Sequence, residues 1–147
     1  MSLYERTKIL TAINDWNVAL NGVIRFDVVV VVAATDDQTP GARSLWHVRV
    51  VRGSTGPHSS SGTPLAVTFP SWVGNGVVAI YADNLKTNDL AAVMRHELGH
   101  VLGLKHDVAG LMAAQYSSWD MQCIDRRTMS VLAARRRVPL GAFSWCD

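Results

Sequence analysis

Hydrophobic residues recur at the spacing of one helical face near the start of the chain. Within residues 4–20 they fall at positions i, i+4, i+7 and i+11, the pattern of a helix that buries one side. The residues at this spacing are Ile9, Ile13, Trp16 and Leu20. Asn21-Gly22 follows and favours a helix end. We therefore predict a first helix from Tyr4 to Leu20.

Four segments after this helix carry strand patterns. The segment from Val23 to Ala34 contains five consecutive valines, too continuous for a strand with one wet face, so we expect it to be covered on both faces. The other three segments are residues 45–52, 65–69 and 77–82. Turn-forming residues at 36–42, 53–63 and 74–76 separate them.

Two more helices are predicted in the second half of the chain. Thr87-Asn88-Asp89 offers capping oxygens ahead of a helix at 90–102, and Gly103 is placed to end it. A last helix is expected from about Asp125 to Arg136. The order of helix, four strands, helix, irregular segment and helix predicts an α+β domain.

The chemistry of the chain is concentrated in the pattern H-E-x-x-H-x-x-G-x-x-H, formed by His96, Glu97, His100, Gly103 and His106. One helical turn separates the first two histidines, so both imidazoles can reach one Zn²⁺ while a fourth position stays open for water. The glycine can take a positive φ, which lets the chain swing back and supply the third histidine.

Glu97 lies beside this predicted metal site without needing to ligate the ion. There it can accept a proton from the zinc-activated water and pass it to a leaving amine. Histidines that merely satisfy a core are the alternative. We favour the metal site, because the glycine and the third histidine also stand at the offsets that metal binding requires.

Beyond the motif, Gly110-Leu111-Met112-Ala113 resembles the Met-turn of the metzincin clan of zinc peptidases. Residues 9–20, 62–70 and 88–104 are similar to the first helix, the edge strand and the active-site helix of a minimal, bacterial-type matrixin catalytic domain. The resemblance implies a metzincin-like domain with a twisted, mostly parallel sheet, an active-site helix and a small C-terminal subdomain. It would span residues 1–147, with residues 1–106 as the upper part and 107–147 as the lower part.

The resemblance also implies site residues around the metal. Met112 would support the site from below, and Asp107, where matrixins usually have serine, would hydrogen-bond the Met-turn backbone. Val67 stands where a matrixin would have a further histidine, and His58 lacks an H-x-D pattern. We therefore expect one catalytic zinc ion and no structural zinc.

Substrate binding is assigned to the strand that begins after Pro64, because proline is tolerated mainly at strand starts and sheet edges. Leu65, Ala66 and Val67 on this edge would bind an extended peptide through their main chain. Tyr116, four residues after Met112, lines the pocket for the residue after the scissile bond, donates to the developing oxyanion, or packs half-buried in the core.

Composition narrows the remaining possibilities. A chain of 147 residues with 48% hydrophobic residues and net charge +2 is one ordinary globular domain. No apolar run approaches the roughly 20 residues of a membrane span. We read the arginines at 126–127 and 135–137 as a solvated helix face, not as a nucleic-acid site. We expect a monomer that acts on protein or peptide substrates.

Cys123 and Cys146 permit one disulfide or two free thiols, and we predict the disulfide. We expect a secreted protein whose signal segment is not in this chain, with a cytoplasmic protein as the alternative.

These observations together predict a zinc-dependent endopeptidase. The alternative is a non-catalytic zinc-binding interaction module on the same scaffold. Glu97 argues against that alternative, because a structural zinc site prefers four protein ligands and has no use for a base beside an open position.

Overall fold

Three α-helices and four short strands form the part of the chain that the computed structural model describes, residues 2–30, 47–52, 66–69, 75–80 and 90–146. The elements are α1 Leu3–Leu20, β1 Asp27–Val30, β2 His47–Arg52, β3 Ala66–Phe69, β4 Asn75–Ile80, α2 Leu90–Val101 and α3 Arg126–Arg136. A 3₁₀ turn at Leu140–Ala142 follows α3. None of the described helices is long and apolar enough to cross a membrane.

The strands pair in the order β1-β2-β4-β3. The β1–β2 and β2–β4 pairs are parallel, whereas β3 runs antiparallel to β4 with Val67 opposite Ala79. Strand β3 therefore has β4 on one side and lies at one edge of this order.

Helix α1 confirms the prediction from hydrophobic spacing. Ser2 and Glu5 form a capping box at its start: the Glu5 N–H donates to Ser2 Oγ at 3.1 Å, and the Ser2 N–H donates to Glu5 Oε2 at 2.6 Å. Asn21 ends the helix in the left-handed conformation, with φ 48°. The four residues at the predicted spacing are all buried.

The sequence predicts a strand from Val23, but β1 begins at Asp27. The prediction is therefore wrong for the four residues before Asp27. The backbone of Phe26 bonds instead to the Asn17 side chain on α1, through Phe26 N–H to Oδ1 at 2.8 Å and Nδ2 to the Phe26 carbonyl at 3.2 Å. The Phe26 ring packs edge-on against Trp16, with ring centroids 6.5 Å apart. A side-chain amide thus supplies the bonds that a neighbouring strand would otherwise make.

Helix α2 lies against α1, and Arg95 of α2 forms hydrogen bonds with two α1 side chains. The indole Nε1 of Trp16 donates to the Arg95 carbonyl at 2.8 Å. The Arg95 Nε donates to Asp15 Oδ2 at 2.7 Å, and its Nη1 donates to the Met121 carbonyl at 3.2 Å. Arg95 therefore connects α1, α2 and the segment before α3, immediately before His96.

Helix α3 begins at Arg126 with Asp125 as its N-cap, close to the predicted start. The predicted disulfide between Cys123 and Cys146 is confirmed. The Cys146 N–H also donates to the Ile124 carbonyl at 3.0 Å, so the last described residues lie alongside the start of α3.

Several sequence predictions fall outside the described residues. They include the turns at 36–42 and 53–63 with His58, Gly74 of the turn at 74–76, and the capping residues Thr87-Asn88-Asp89. Parts of the four predicted strands also lie there, namely residues 31–34, 45–46, Leu65 and 81–82.

Removing the disulfide should lower stability without removing the fold. In the chain-entropy account, cross-linking a loop of this length contributes about 3 kcal/mol, which for a chain of this size lowers Tm by about 10 °C when lost. We expect this decrease in the double variant Cys123→Ser/Cys146→Ser, measured by thermal unfolding. The wild type treated with reductant is the matched control. Intact mass after aerobic purification should show two hydrogens fewer than the dithiol, and a mass with both thiols free would contradict the bridge.

Candidate metal centre

Three histidine side chains converge at the C-terminal end of α2. His96 and His100 lie one turn apart on the helix, with their Nε2 atoms 3.0 Å apart. The Nε2 atom of His106, beyond the end of the helix, lies 3.1 Å from that of His100. Exposure increases through the set, because His96 is buried, His100 is half-buried and His106 is exposed. The cluster is therefore closed on one side and open to solvent on the other.

Hydrogen bonds on the far side of two rings determine which nitrogens face one another. His96 Nδ1 lies 2.7 Å from the Leu111 carbonyl, and His100 Nδ1 lies 2.8 Å from the Leu104 carbonyl. A carbonyl can only accept, so each Nδ1 carries the hydrogen. In the neutral ring, each Nε2 then presents a lone pair.

Burial lowers the pKa of His96 to about 4, although the hydrogen bond to the Leu111 carbonyl acts in the opposite direction. Burial also lowers the pKa of His106. Two lone pairs 3.0 Å apart repel one another unless a cation lies between them. Nitrogens bound to one tetrahedral zinc at 2.0–2.1 Å lie about 3.3 Å apart. The donor set therefore fits a zinc ion held by three histidines.

The turn after α2 brings His106 back to the cluster. Gly103 has φ +87°, its N–H donates to the His100 carbonyl at 2.9 Å, and the Leu104 N–H donates to the Gly99 carbonyl at 3.0 Å. These two bonds form a Schellman motif, which requires the left-handed residue at this position. The same turn presents the Leu104 carbonyl to His100, so Gly103 supports two of the three histidines.

Glu97 is buried beside the cluster, with 7% of its surface exposed. The Thr68 hydroxyl on β3 donates to the Glu97 carboxylate and also lies 3.2 Å from the Glu97 carbonyl. Burial raises the pKa of the Glu97 carboxyl, while the Thr68 hydrogen bond and the charge of His100 act in the opposite direction. Sequence reasoning missed Thr68, because no motif links a strand residue to a helix residue 29 positions later.

Met112 is buried against α2 at Gly99, the residue before His100. A Cβ added to Gly99 would overlap the Met112 sulfur and would lie 3.1 Å from its Cε. Trp16 lies on the same side, with its Cζ2 at 3.6 Å from that position. Only a residue without a side chain lets Met112 approach the helix so closely. Gly99 is a second functional position that the sequence analysis did not single out.

The structure gives Asp107 a different partner from the predicted one. Its carboxylate accepts from Arg127 Nε at 2.7 Å and Nη2 at 2.8 Å, and from the Val108 N–H at 2.6 Å. The Arg127 guanidinium holds the pKa of Asp107 below its ordinary value. The main chain of Asp107 makes the contact with the turn, through its N–H to the Met112 carbonyl at 2.8 Å. The charged guanidinium of Arg127, on α3, forms a stronger hydrogen bond with a carboxylate than a neutral backbone N–H does.

The predicted substrate residues are only partly described. Ala66 is half-buried at the start of β3, and the main chain of Val67 lies in the same strand, while Leu65 is outside the described residues. Tyr116 is half-buried and packs against the hydrophobic core. The strand contacts α2 through Thr68, which brings β3 to the helix that carries His96 and His100. The substrate roles themselves stay predictions.

A comparison with known protein families shows the family of this chain. The matrixin family model matches residues 8–129, from within α1 into the first turn of α3. The chain therefore belongs to the matrixin family, which implies the metzincin fold and a zinc site. No curated protein and no solved structure matches it significantly.

The close approach of Met112 to α2 generates a testable prediction. Gly99→Ala should lower the free energy of unfolding by about 1–3 kcal/mol, because the added methyl group overfills a buried contact. Gly141→Ala is the matched control, since a Cβ there meets no atom within 4 Å, and it should change stability by less than about 0.5 kcal/mol. Urea unfolding measures both, and equal effects in the two variants would contradict the packing argument.

Proposed function

We propose that this member of the matrixin family is a zinc-dependent endopeptidase that hydrolyses peptide bonds in proteins. The convergence of three imidazole Nε2 atoms beside a buried glutamate carries the proposal. Among the described residues, the metal-ligand cluster contains three side chains. Three protein ligands suit a catalytic zinc, which needs an open position, whereas structural zinc sites are closed by four.

His96, His100 and His106 would hold the zinc ion, and one such ion is proposed. When bound, zinc supplies Lewis acidity that activates water and polarises the peptide carbonyl. The Glu97 carboxylate accepts the proton that the attacking water loses. It then donates this proton to the amine of the departing peptide. Burial raises the pKa of the Glu97 carboxyl, and a raised pKa favours the protonated form from which the proton is then donated.

Thr68 and Met112 would keep this arrangement in place. The Thr68 hydroxyl restrains the Glu97 side chain from the strand, and Met112 fills the space beneath α2 at Gly99. Asp107 would support the third histidine through its main-chain bond to the Met112 carbonyl and its ion pair with Arg127.

The α+β architecture with a twisted, mostly parallel sheet is part of the proposal. The parallel pairing of β1, β2 and β4 supports it, and so does the position of β3 at one edge of the strand order. An extended substrate would add to the β3 edge beside Ala66 and Val67, and Leu65 would extend this edge. The pocket near Tyr116 would then select the residue after the scissile bond, and we expect an apolar preference there.

We further propose a secreted, monomeric protein. The Cys123–Cys146 disulfide supports an oxidising compartment. The alternative function, a non-catalytic zinc-binding interaction module, predicts zinc binding without hydrolysis. Cleavage of denatured casein that stops on addition of a chelator and returns with zinc distinguishes the two.

Replacing the proposed base should abolish turnover while leaving the metal site intact. Glu97→Gln removes the proton acceptor but no zinc ligand, so kcat/KM should fall by about 10²–10⁴-fold with zinc content unchanged. Glu5→Gln is the matched control, because it replaces the other glutamate of the chain, and glutamine also serves in a capping box. Peptidase activity of Glu97→Gln within tenfold of wild type would show that Glu97 is not the base.

Substrate docking on β3 can be tested with proline. Successive N–H groups of a strand point to opposite edges, so in Ala66→Pro and Val67→Pro one substitution removes a bond to β4 and the other a donor to substrate. At least one variant should raise KM or lose cleavage while retaining zinc. Kinetics unchanged in both variants would place the substrate elsewhere.

A further inference from the structure

The carbonyl that orients His96 belongs to a residue that is itself held by a distant carboxylate. Leu111 presents its C=O to His96 Nδ1 at 2.7 Å, and its N–H donates to Asp125 Oδ2 at 2.8 Å. The two bonds lie on either side of one buried residue. Leu111 therefore cannot move away from Asp125 without also moving the acceptor of His96.

The first turn of α3 holds the Asp125 side chain in place. As the N-cap, its Oδ1 accepts from the Thr128 N–H at 2.9 Å, and its Oδ2 accepts from the Thr128 hydroxyl at 2.9 Å. A carboxylate at this position also interacts favourably with the positive end of the helix dipole. Both carboxylate oxygens are thus in use, and the side chain has one orientation that satisfies all three donors.

The turn opposite Asp125 is shaped to accept the carboxylate. Gly110 has φ +76°, and a Cβ there would lie 3.0 Å from Asp125 Oδ2. On the other side, the Cys123–Cys146 bridge and the bond from the Cys146 N–H to the Ile124 carbonyl restrain the residues just before the cap. The carboxylate is therefore anchored on a rigid segment while the turn leaves space for it.

We propose that Asp125 is a positioning residue for the metal centre, which orients His96 through Leu111. The inference rests on the proposed zinc site and adds to it a residue 29 positions beyond the ligand it serves. Partners that orient a metal-bound histidine typically change metal affinity about 10–100-fold when they are removed. Asp125 acts one step further out, through the main chain of a single buried residue.

Two substitutions separate this role from helix capping. Asp125→Ser keeps a good N-cap, but one oxygen with two lone pairs then replaces two carboxylate oxygens that accept from three donors, the Leu111 N–H and the Thr128 N–H and hydroxyl. Asp125→Asn has almost the same shape, yet it offers one acceptor and one donor group, so one of the two backbone N–H groups loses its partner. Ser2→Ala is the matched control, because it removes the N-cap of a helix that carries none of the three histidines.

Zinc affinity, measured by competition with a chromophoric chelator, should fall about 10-fold or more in Asp125→Ser and by less in Asp125→Asn, whose one amide oxygen can still accept from Leu111. It should stay within twofold of wild type in Ser2→Ala. Cobalt bound in place of zinc should give a changed visible absorption spectrum in the Asp125 variants alone, because that spectrum reports the geometry of the ligands. Far-UV circular dichroism checks that each variant is folded.

The outcomes distinguish this inference from the function on which it rests. Unchanged zinc affinity and cobalt spectrum in both Asp125 variants would overturn the positioning role and leave the metal site standing. A loss of affinity in Ser2→Ala equal to that in Asp125→Ser would also overturn it, because the effect would then follow stability alone. A wild-type chain that binds no zinc would overturn both proposals.

Discussion

The arrangement of the site depends on the burial of helix α2. Ten of its twelve residues are buried, so neighbours surround the helix and none of its sides is free. A helix in this position cannot rotate or slide without opening cavities or overlapping its neighbours, which interiors packed at crystal-like density do not tolerate. The positions of His96, Glu97 and His100 therefore follow from the position of one rigid element.

Different neighbours constrain this helix through different chemistry. Helix α1 contacts it through the Trp16 indole and the Asp15–Arg95 ion pair, and strand β3 contacts it through the Thr68 hydroxyl. The turn that carries Met112 contacts it at Gly99 by close packing. The contacts with Arg95, Glu97 and Gly99 each lie next to a histidine that belongs to the cluster. The histidines of the cluster on α2 are thus held by contacts made at their immediate neighbours in sequence.

Local spacing made the histidine cluster predictable, whereas two of its supports, Thr68 and Asp125, were not. His96 and His100 lie one turn apart, so the geometry of a helix alone brings them together, and Gly103 and His106 follow within six residues of His100. Thr68 and Asp125 come from segments 29 residues before Glu97 and 29 residues after His96, and no periodic pattern records such pairs. The predicted start of β1 was wrong for a related reason. The Asn17 amide took the place of a strand partner at Phe26, and strand propensity contains no information about a side chain on another helix.

The arginines of α3 show how charge can serve packing in a small domain. The sequence predicts a solvated face for their run, and Arg126, Arg127, Arg135 and Arg137 are exposed. Arg136 is half-buried instead and donates to the Leu102 carbonyl at 3.2 Å, at the end of α2. Arg135 lies in the space that a side chain on Gly103 would need, with its Nε 2.9 Å from that position. Cations are favoured where helix carbonyls lack partners, and α2 ends here. Two constraints therefore act on Gly103: its backbone is left-handed, and the Arg135 guanidinium occupies the space that a side chain would need. The absence of a side chain at Gly103 thus lets α3 pack against the turn that brings His106 to the cluster.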